Sequence, residues 1–248
     1  MKKHILLTWF AVLSVSLQAQ QIMIVKTKDN TQNEFNVNSI RKVTFRSSLE
    51  IPGDSTVSLS CPDEHHPHPI DLGLPSGTKW ACCNVDASVP EDYGGYYAWG
   101  ETEEKASYEW ESYRYYDAST EQCIHIGDDI AGTQYDVAAV KWLYPWRMPS
   151  SEMFQELLDN CTSEWTSLND VNGYLLTGSN GGRIFLPAAG GCLYDEILLE
   201  GRDGNYWAST LDPENRDQVF YLLFRSLYIR VEPTPSRFLG LSVRAVCP

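Results

Sequence analysis

The residues best suited to metal chemistry are a group of histidines. His65, His66 and His68 stand close together in the run His65-His66-Pro67-His68, and imidazole is a common ligand of transition metals. Pro67 and Pro69 favour an extended backbone, which spreads the rings instead of converging them. We therefore expect a solvated segment here, with a metal site as the alternative.

Seven cysteines offer a second kind of chemistry. Their number is odd, and their spacing matches no dense disulfide framework. Cys82 and Cys83 are adjacent, so on a strand their side chains would point to opposite faces and could not serve one partner site. We expect most of the cysteines to be small buried hydrophobic residues, with one bridge at most.

Patterns for hydrolysis, phosphate binding and calcium binding are weak or missing. The sequence has no Gly-x-Ser-x-Gly, His-Glu-x-x-His or phosphate-loop pattern. The acidic segment Asp212-Pro213-Glu214-Asn215 offers oxygen ligands, but it is a single segment where a calcium site needs about six or more ligands. We expect no catalytic residues, no metal and no cofactor.

Longer motifs carry a resemblance to a known family. WRMPSSEMF (146–154) resembles the W-R-L-P-T-x-x-E-[WF] signature of C-type-lectin-like domains related to the formylglycine-generating enzyme. Further segments are similar, in order, to the Fibrobacter-type major paralogous domain of gut Bacteroidetes: DLGLPSGTKW (71–80), CNV (83–85), YAWGET (97–102), IFLPAAG (184–190), YWAS (206–209) and SVRAV (242–246). The resemblance covers residues 70–247.

The resemblance implies an α+β fold over residues 70–248, in which two helices flank a twisted antiparallel sheet with long loops on one face. Residues 78–85 would lie near residues 241–247, and Cys82 or Cys83 could then pair with Cys247, with Cys161 as a competing partner. The enzymes of this superfamily oxidise a substrate cysteine through paired cysteines. Cys192 and Cys247 lie outside those enzyme motifs, so an oxidase is a lesser alternative.

The candidate function is ligand binding through the C-terminal loops, because Tyr, Trp and Arg are the usual anchors of interfaces and aromatic faces stack on sugars. We expect a protein or carbohydrate ligand. The candidate binding residues are Tyr194, Asp195, Trp207, Tyr228, Arg230 and Arg237. A place in the sheet core is an equal alternative for Tyr206, Trp207 and Tyr221, whereas exposure is expected for Tyr228, Arg230 and Arg237.

The N-terminal quarter separates into three parts. Residues 1–19 have two lysines before a short apolar run, which predicts a secretory signal peptide and a secreted protein. Residues 20–46 predict a small β unit with strands at 22–27, 34–37 and 43–45, and residues 47–69 predict a linker. An exposed hairpin edge accepts added strands, so a structural subunit of a surface assembly is the second functional alternative.

Two helices and a large negative charge complete the expectations. One helix is expected at residues 136–142, and a second begins after Ser150, with Glu152 in its first turn and Met153, Leu157 and Cys161 along one face.

Without Lys2 and Lys3 the chain has 17 basic against 33 acidic side chains, a net charge of −16. This charge excludes nucleic acid and anionic lipid as partners, and no membrane span is expected.

Overall fold

The computed structural model of the chain describes residues 22–26, 32–36, 65–215, 217–234 and 236–248. The chain divides into two units, Met1–Gly53 and Asp54–Pro248. The predicted signal peptide at 1–19, the third strand at 43–45 and the predicted linker up to residue 64 lie outside the described residues.

The first unit contains an antiparallel hairpin. Strand β1 (Ile22–Lys26) pairs with strand β2 (Gln32–Asn36), so that Ile22 lies opposite Asn36 and Lys26 lies opposite Gln32. This register confirms the hairpin predicted from the turn residues of this segment, with a second strand that begins two residues before the predicted 34–37.

The second unit is rich in strands and has two α-helices in its described part, which makes it an α+β unit. The helices are α1 (Val137–Trp142) and α2 (Ser151–Asn160). The strands are β3 (Pro69–Asp71), β4 (Lys79–Ala81), β5 (Tyr116–Asp117), β6 (Gln122–Cys123), β7 (Cys161–Leu168), β8 (Val171–Gly178), β9 (Arg183–Pro187), β10 (Gly191–Leu193), β11 (Glu196–Leu198), β12 (Asp203–Leu211), β13 (Val219–Arg225), β14 (Tyr228–Thr234) and β15 (Val246–Cys247).

The strands form small antiparallel sheets, of which three have three strands, in the orders β15-β4-β3, β7-β8-β9 and β12-β13-β14. Strands β10 and β11 form a separate hairpin, as do β5 and β6. The pairing of β4 with β15 places Trp80 opposite Val246, and the amide of Val85 donates to the carbonyl of Val243 at 3.0 Å. The predicted closeness of residues 78–85 to residues 241–247 is therefore confirmed.

Helix α2 begins directly after its predicted cap, Ser150, and α1 begins one residue later than predicted because Asp136 is its cap. Asp136 caps α1 by accepting hydrogen bonds from the amides of Ala138 and Ala139. Ser150 caps α2 by accepting one from the amide of Met153 at 3.3 Å. Neither helix is long or apolar enough to cross a membrane in the part of the chain that was described.

Strand β12 lies between two hydrophobic clusters, because alternate residues of a strand face opposite sides. Tyr206 and Ala208 belong to the cluster formed around Trp80 and helix α2. Trp207 and Leu211 belong to the other cluster, together with Trp99 and Trp146. The YWAS motif is thus buried on both faces.

Candidate functional site

Several of the motifs that carry the family resemblance meet in one buried hydrogen-bonded network. Arg244 Nε donates to Asn84 Oδ1 at 2.8 Å. Its other guanidinium nitrogens donate to the carbonyls of Ala81 and Phe185 at 3.0 and 2.7 Å. Both Arg244 and Asn84 are fully buried. Three oxygen acceptors of the protein therefore take the place of the water molecules that the guanidinium would bind in solution.

Tyr206 extends this network towards the IFLPAAG segment. Its hydroxyl donates to the carbonyl of Pro187 at 2.6 Å and accepts from Asn84 Nδ2 at 3.3 Å. Burial raises the pKa of Tyr206 well above its usual range, against the opposing effect of the Arg244 charge. These motif residues therefore hold the fold together and are not displayed to a ligand.

Trp207 is also interior, so its assignment to a ligand-binding surface is wrong. Its ring has no exposed surface, and its Nε1 donates to the carbonyl of Tyr97 at 2.7 Å. In return, Trp99 Nε1 donates to the carbonyl of Ala208 at 3.0 Å. A buried indole N–H needs a hydrogen-bond acceptor. Each tryptophan finds its acceptor in the other segment, so these two hydrogen bonds link the YAWGET and YWAS segments.

The predicted exposure of Arg237 is likewise wrong, since only 2% of this residue is exposed. Its guanidinium lies 5.2 Å from the centre of the Trp99 ring, and its carbonyl accepts from the Trp99 amide at 2.9 Å. A turn in which the Leu239 amide donates to the Ser236 carbonyl accompanies this inward placement. Arg237 is a cation–π partner of the core.

Tyr194 and Asp195 are exposed, at the turn of the β10–β11 hairpin. The backbone of Tyr194 is fixed, because its amide and carbonyl exchange hydrogen bonds with Tyr108 at 3.0 and 2.8 Å. Tyr194 also has a φ of 55°, an uncommon value for a residue with a side chain. Its ring is nevertheless 56% exposed, so a rigid backbone presents a free aromatic side chain.

Tyr228 and Arg230 lie at the start of β14, where Tyr228 is flanked by two guanidinium groups. Those of Arg230 and Arg225 lie 4.9 and 6.0 Å from its ring centre. Each arginine is held by a carboxylate, since Arg230 pairs with Glu232 at 2.7 Å and Arg225 pairs with Asp203 at 2.8 Å. The ring is half-buried and both arginines are exposed.

An apolar strip lies at the end of the β10–β11 hairpin. Ile197, Leu198 and Leu199 are all exposed, and the carbonyl of Leu199 accepts from the amide of Asp203 at 3.0 Å. Asp203 lies opposite Arg225 in the sheet, and Arg225 lies opposite Tyr228. Asp203 therefore connects the residue after β11 to the end of β13 through the backbone.

We call this region the hairpin surface. Its members are Ile197, Leu198, Leu199, Arg225, Leu227, Tyr228 and Arg230, with Tyr194 and Asp195 at the far turn of the same β10–β11 hairpin. Leu227 is 92% exposed. The leucines, Ile197 and Arg225 were not among the residues predicted from the sequence, although the apolar run between Glu196 and Glu200 was a signal for the strip.

A polar cleft of about 260 Å³ lies elsewhere, beside the YAWGET motif. Its walls include Glu101, Lys105 and Arg114. Glu101 already pairs with Lys105 at 3.0 Å and accepts from the Arg114 amide at 2.8 Å. Because these groups satisfy one another, the cleft is a weaker candidate than the hairpin surface.

The histidine segment differs from the expectation that its proline residues would spread the imidazole rings apart. His66 and His68 are not spread apart, since their ring centres are 5.2 Å from each other and both rings reach the sulfur of Cys82. Strand β4 ends at Ala81, so Cys82 and Cys83 do not alternate as strand residues, and their sulfur atoms lie 3.8 Å apart.

No disulfide joins the described cysteines. The bridges considered for Cys82, Cys83, Cys161 and Cys247 are therefore not formed in this part of the chain. Cys82 instead faces the histidine segment, and the backbone of Cys247 pairs with Lys79.

Comparisons of the chain with protein-family models, with curated proteins and with solved structures found no match.

Proposed function

We propose that residues 70–248 form a C-type-lectin-like, non-catalytic binding module of an exported protein, which presents the hairpin surface to a protein or carbohydrate ligand. The observation that carries the proposal is the Tyr228 ring between the guanidinium groups of Arg225 and Arg230. Tyrosine and arginine are enriched among the residues that dominate binding energy.

The ion pairs around Tyr228 favour binding because they fix the side chains in advance. Asp203 is 3% exposed and holds Arg225 through both Nε and Nη2. Glu232 holds Arg230 and also accepts from the Tyr221 hydroxyl at 2.9 Å. Exposed ion pairs add little to stability, whereas fixed side chains lower the entropy lost on binding.

The apolar strip supplies the second element of an interface. Ile197, Leu198 and Leu199 are exposed, and Leu199 is connected to the charged group through Asp203, which holds Arg225. Interfaces commonly combine an apolar centre with a polar rim. Tyr194 and Asp195 lie at the turn of the same β10–β11 hairpin. This combination suits a protein ligand, and the aromatic rings also suit a sugar face.

The closure of β4 on β15 supports the C-type-lectin-like assignment, because the resemblance implied that the ends of the domain would meet. The non-catalytic assignment is supported by the use of buried carboxylates within the fold. Asp136 accepts four backbone hydrogen bonds, and Asp203 is paired with Arg225.

A structural subunit is the second candidate, and the β1–β2 hairpin favours it. Within the described residues, β1 and β2 pair only with each other, and half of Ile24 is exposed. A two-stranded hairpin with outer edges of this kind accepts further strands.

The test is a panel of glycans and secreted host proteins screened against the purified full chain, with hydrogen exchange measured on any complex that forms. The proposal expects slower exchange in residues 194–199 and 225–230. Protection confined to other segments would overturn the assignment of the surface. Polymers that grow with concentration in light scattering, without any bound ligand, would favour the structural subunit.

A further inference from the structure

A group of thiol and imidazole side chains lies where the histidine segment meets the end of β4. Cys82 Sγ lies 3.3 Å from His66 Nδ1 and 3.8 Å from Cys83 Sγ. The donor atoms of His66, Cys82 and Cys83 all lie within 4.8 Å of one another. We call these three residues the thiol–imidazole cluster.

The spacing of these atoms matches that around a single tetrahedral ion. Zinc binds sulfur at about 2.3 Å and imidazole nitrogen at about 2.0 Å. Tetrahedral angles then place two sulfurs about 3.8 Å apart and a sulfur and a nitrogen about 3.5 Å apart. Two of the observed separations, 3.8 and 3.3 Å, are close to these values. The third, between His66 and Cys83, is within 4.8 Å, so binding of an ion would draw His66 towards Cys83.

The surroundings are also those of a metal–thiolate site. Cys82 and Cys83 are buried and pack with Ala87, Ile70 and Trp142, while His66 is half-exposed and leaves a route from solvent. Dry apolar surroundings on one side strengthen the attraction between a cation and thiolates.

His68 supports Cys82 from a second direction. Its amide donates to Cys82 Sγ at 3.2 Å and its Nδ1 lies 3.5 Å from the same sulfur. Such outer contacts orient a ligand and stabilise its charged form. The thiolate is the form that binds metals.

We infer that Cys82, Cys83 and His66 bind one thiophilic transition-metal ion, with zinc as the best geometric fit. The ion clamps the histidine segment onto the end of β4. Soft thiolate ligands together with imidazole select zinc or cuprous copper over magnesium and calcium.

The test uses the full chain, reduced and stripped of metal, and titrated with zinc against a chromophoric chelator. About one zinc ion per chain is expected, with a rise in melting temperature as zinc is added. Cobalt in place of zinc is expected to give the visible bands of a tetrahedral ion and a sulfur-to-cobalt charge-transfer band. Cys82→Ser and His66→Ala are each expected to weaken zinc binding by roughly 100-fold.

Two matched controls separate this cluster from other possible ligands. Cys161→Ser and His125→Ala remove a thiol and an imidazole that lie outside the cluster, and both are expected to keep full zinc affinity. Because Cys82 is buried and its variant could unfold, the half-exposed His66 provides the second variant, with circular dichroism as the check on folding. Absence of zinc binding, unchanged binding in a folded His66→Ala variant, or an octahedral cobalt spectrum would each overturn the inference.

Discussion

Arg244 and Asn84, 160 residues apart in the chain, form a hydrogen bond of 2.8 Å in the interior of the unit. Arg244 lies just before the last strand, β15, and Asn84 lies just after β4, which pairs with β15. Asn84 also donates to the carbonyl of Tyr93 at 2.9 Å. This contact therefore ties the segment before β15 to the loop after β4.

Replacing the buried Arg244 is expected to destabilise the unit more than replacing the exposed Arg202. In Arg244→Met, the carbonyls of Ala81 and Phe185 and the Asn84 side chain lose a buried donor. Each unsatisfied buried acceptor costs about 1–3 kcal/mol, so the loss of unfolding free energy should be about 3 kcal/mol or more. Denaturant unfolding measures it, with Arg202→Met as the exposed control. A loss in Arg244→Met no larger than that of the control would contradict the network.

Removing the two helix caps should lower the free energy of unfolding by unequal amounts. Asp136 accepts from the amides of Gly132, Ala138, Ala139 and Met148, whereas the Ser150 hydroxyl accepts one amide of α2. Asp136→Ala should lower the unfolding free energy by about 2–4 kcal/mol and Ser150→Ala by about 1 kcal/mol. Thermal and denaturant unfolding of the two variants gives the comparison. Equal losses would show that the extra hydrogen bonds of Asp136 add nothing.

The two arginines expected to be exposed should differ in their effect on stability. Arg237 is buried against Trp99, so Arg237→Ala should cost about 2 kcal/mol or more through lost packing and cation–π contact. Arg230 is exposed and paired at the surface, so Arg230→Ala should change stability by less than about 1 kcal/mol. The melting temperatures of both variants test this, and the reverse order would contradict the interior position of Arg237.

Buried tyrosines predict a loss of stability at alkaline pH. Burial raises the pKa values of Tyr96, Tyr97, Tyr113 and Tyr206 above the ordinary value of 10.0. Because these folded-state values are raised, the stabilisation is full below pH 10.0 and falls as the pH rises above it. Phenolate absorbance and circular dichroism should therefore change together during an alkaline titration. Ionisation of these tyrosines near pH 10 in a chain that stays folded would contradict their burial.

The sequence was informative where local rules decide the structure. Turn residues located the β1–β2 hairpin, helical spacing located α1, and Ser150 located the start of α2. The resemblance supplied one long-range feature, the meeting of β4 with β15. Each of these features depends on residue type or on an order of motifs.

Burial and side-chain direction were harder to predict, since they depend on residues distant in the chain. Trp207 is buried because β12 has hydrophobic clusters on both faces, and Arg237 is buried because its turn lies over Trp99. Cys82 and Cys83 share one side because β4 ends at Ala81. Tyr194, Asp195, Tyr228 and Arg230 keep their places as candidate binding residues.

The measurement that tests the central proposal most directly is the affinity of the Tyr228→Ala variant for a ligand found in the screen, compared with Tyr144→Ala. Tyr144 is 97% exposed and lies outside the hairpin surface. The proposal predicts that Tyr228→Ala weakens binding by about 30-fold or more, the effect of a dominant interface residue, while Tyr144→Ala leaves it unchanged. Equal affinities in the two variants would contradict the assignment of the hairpin surface as the binding site.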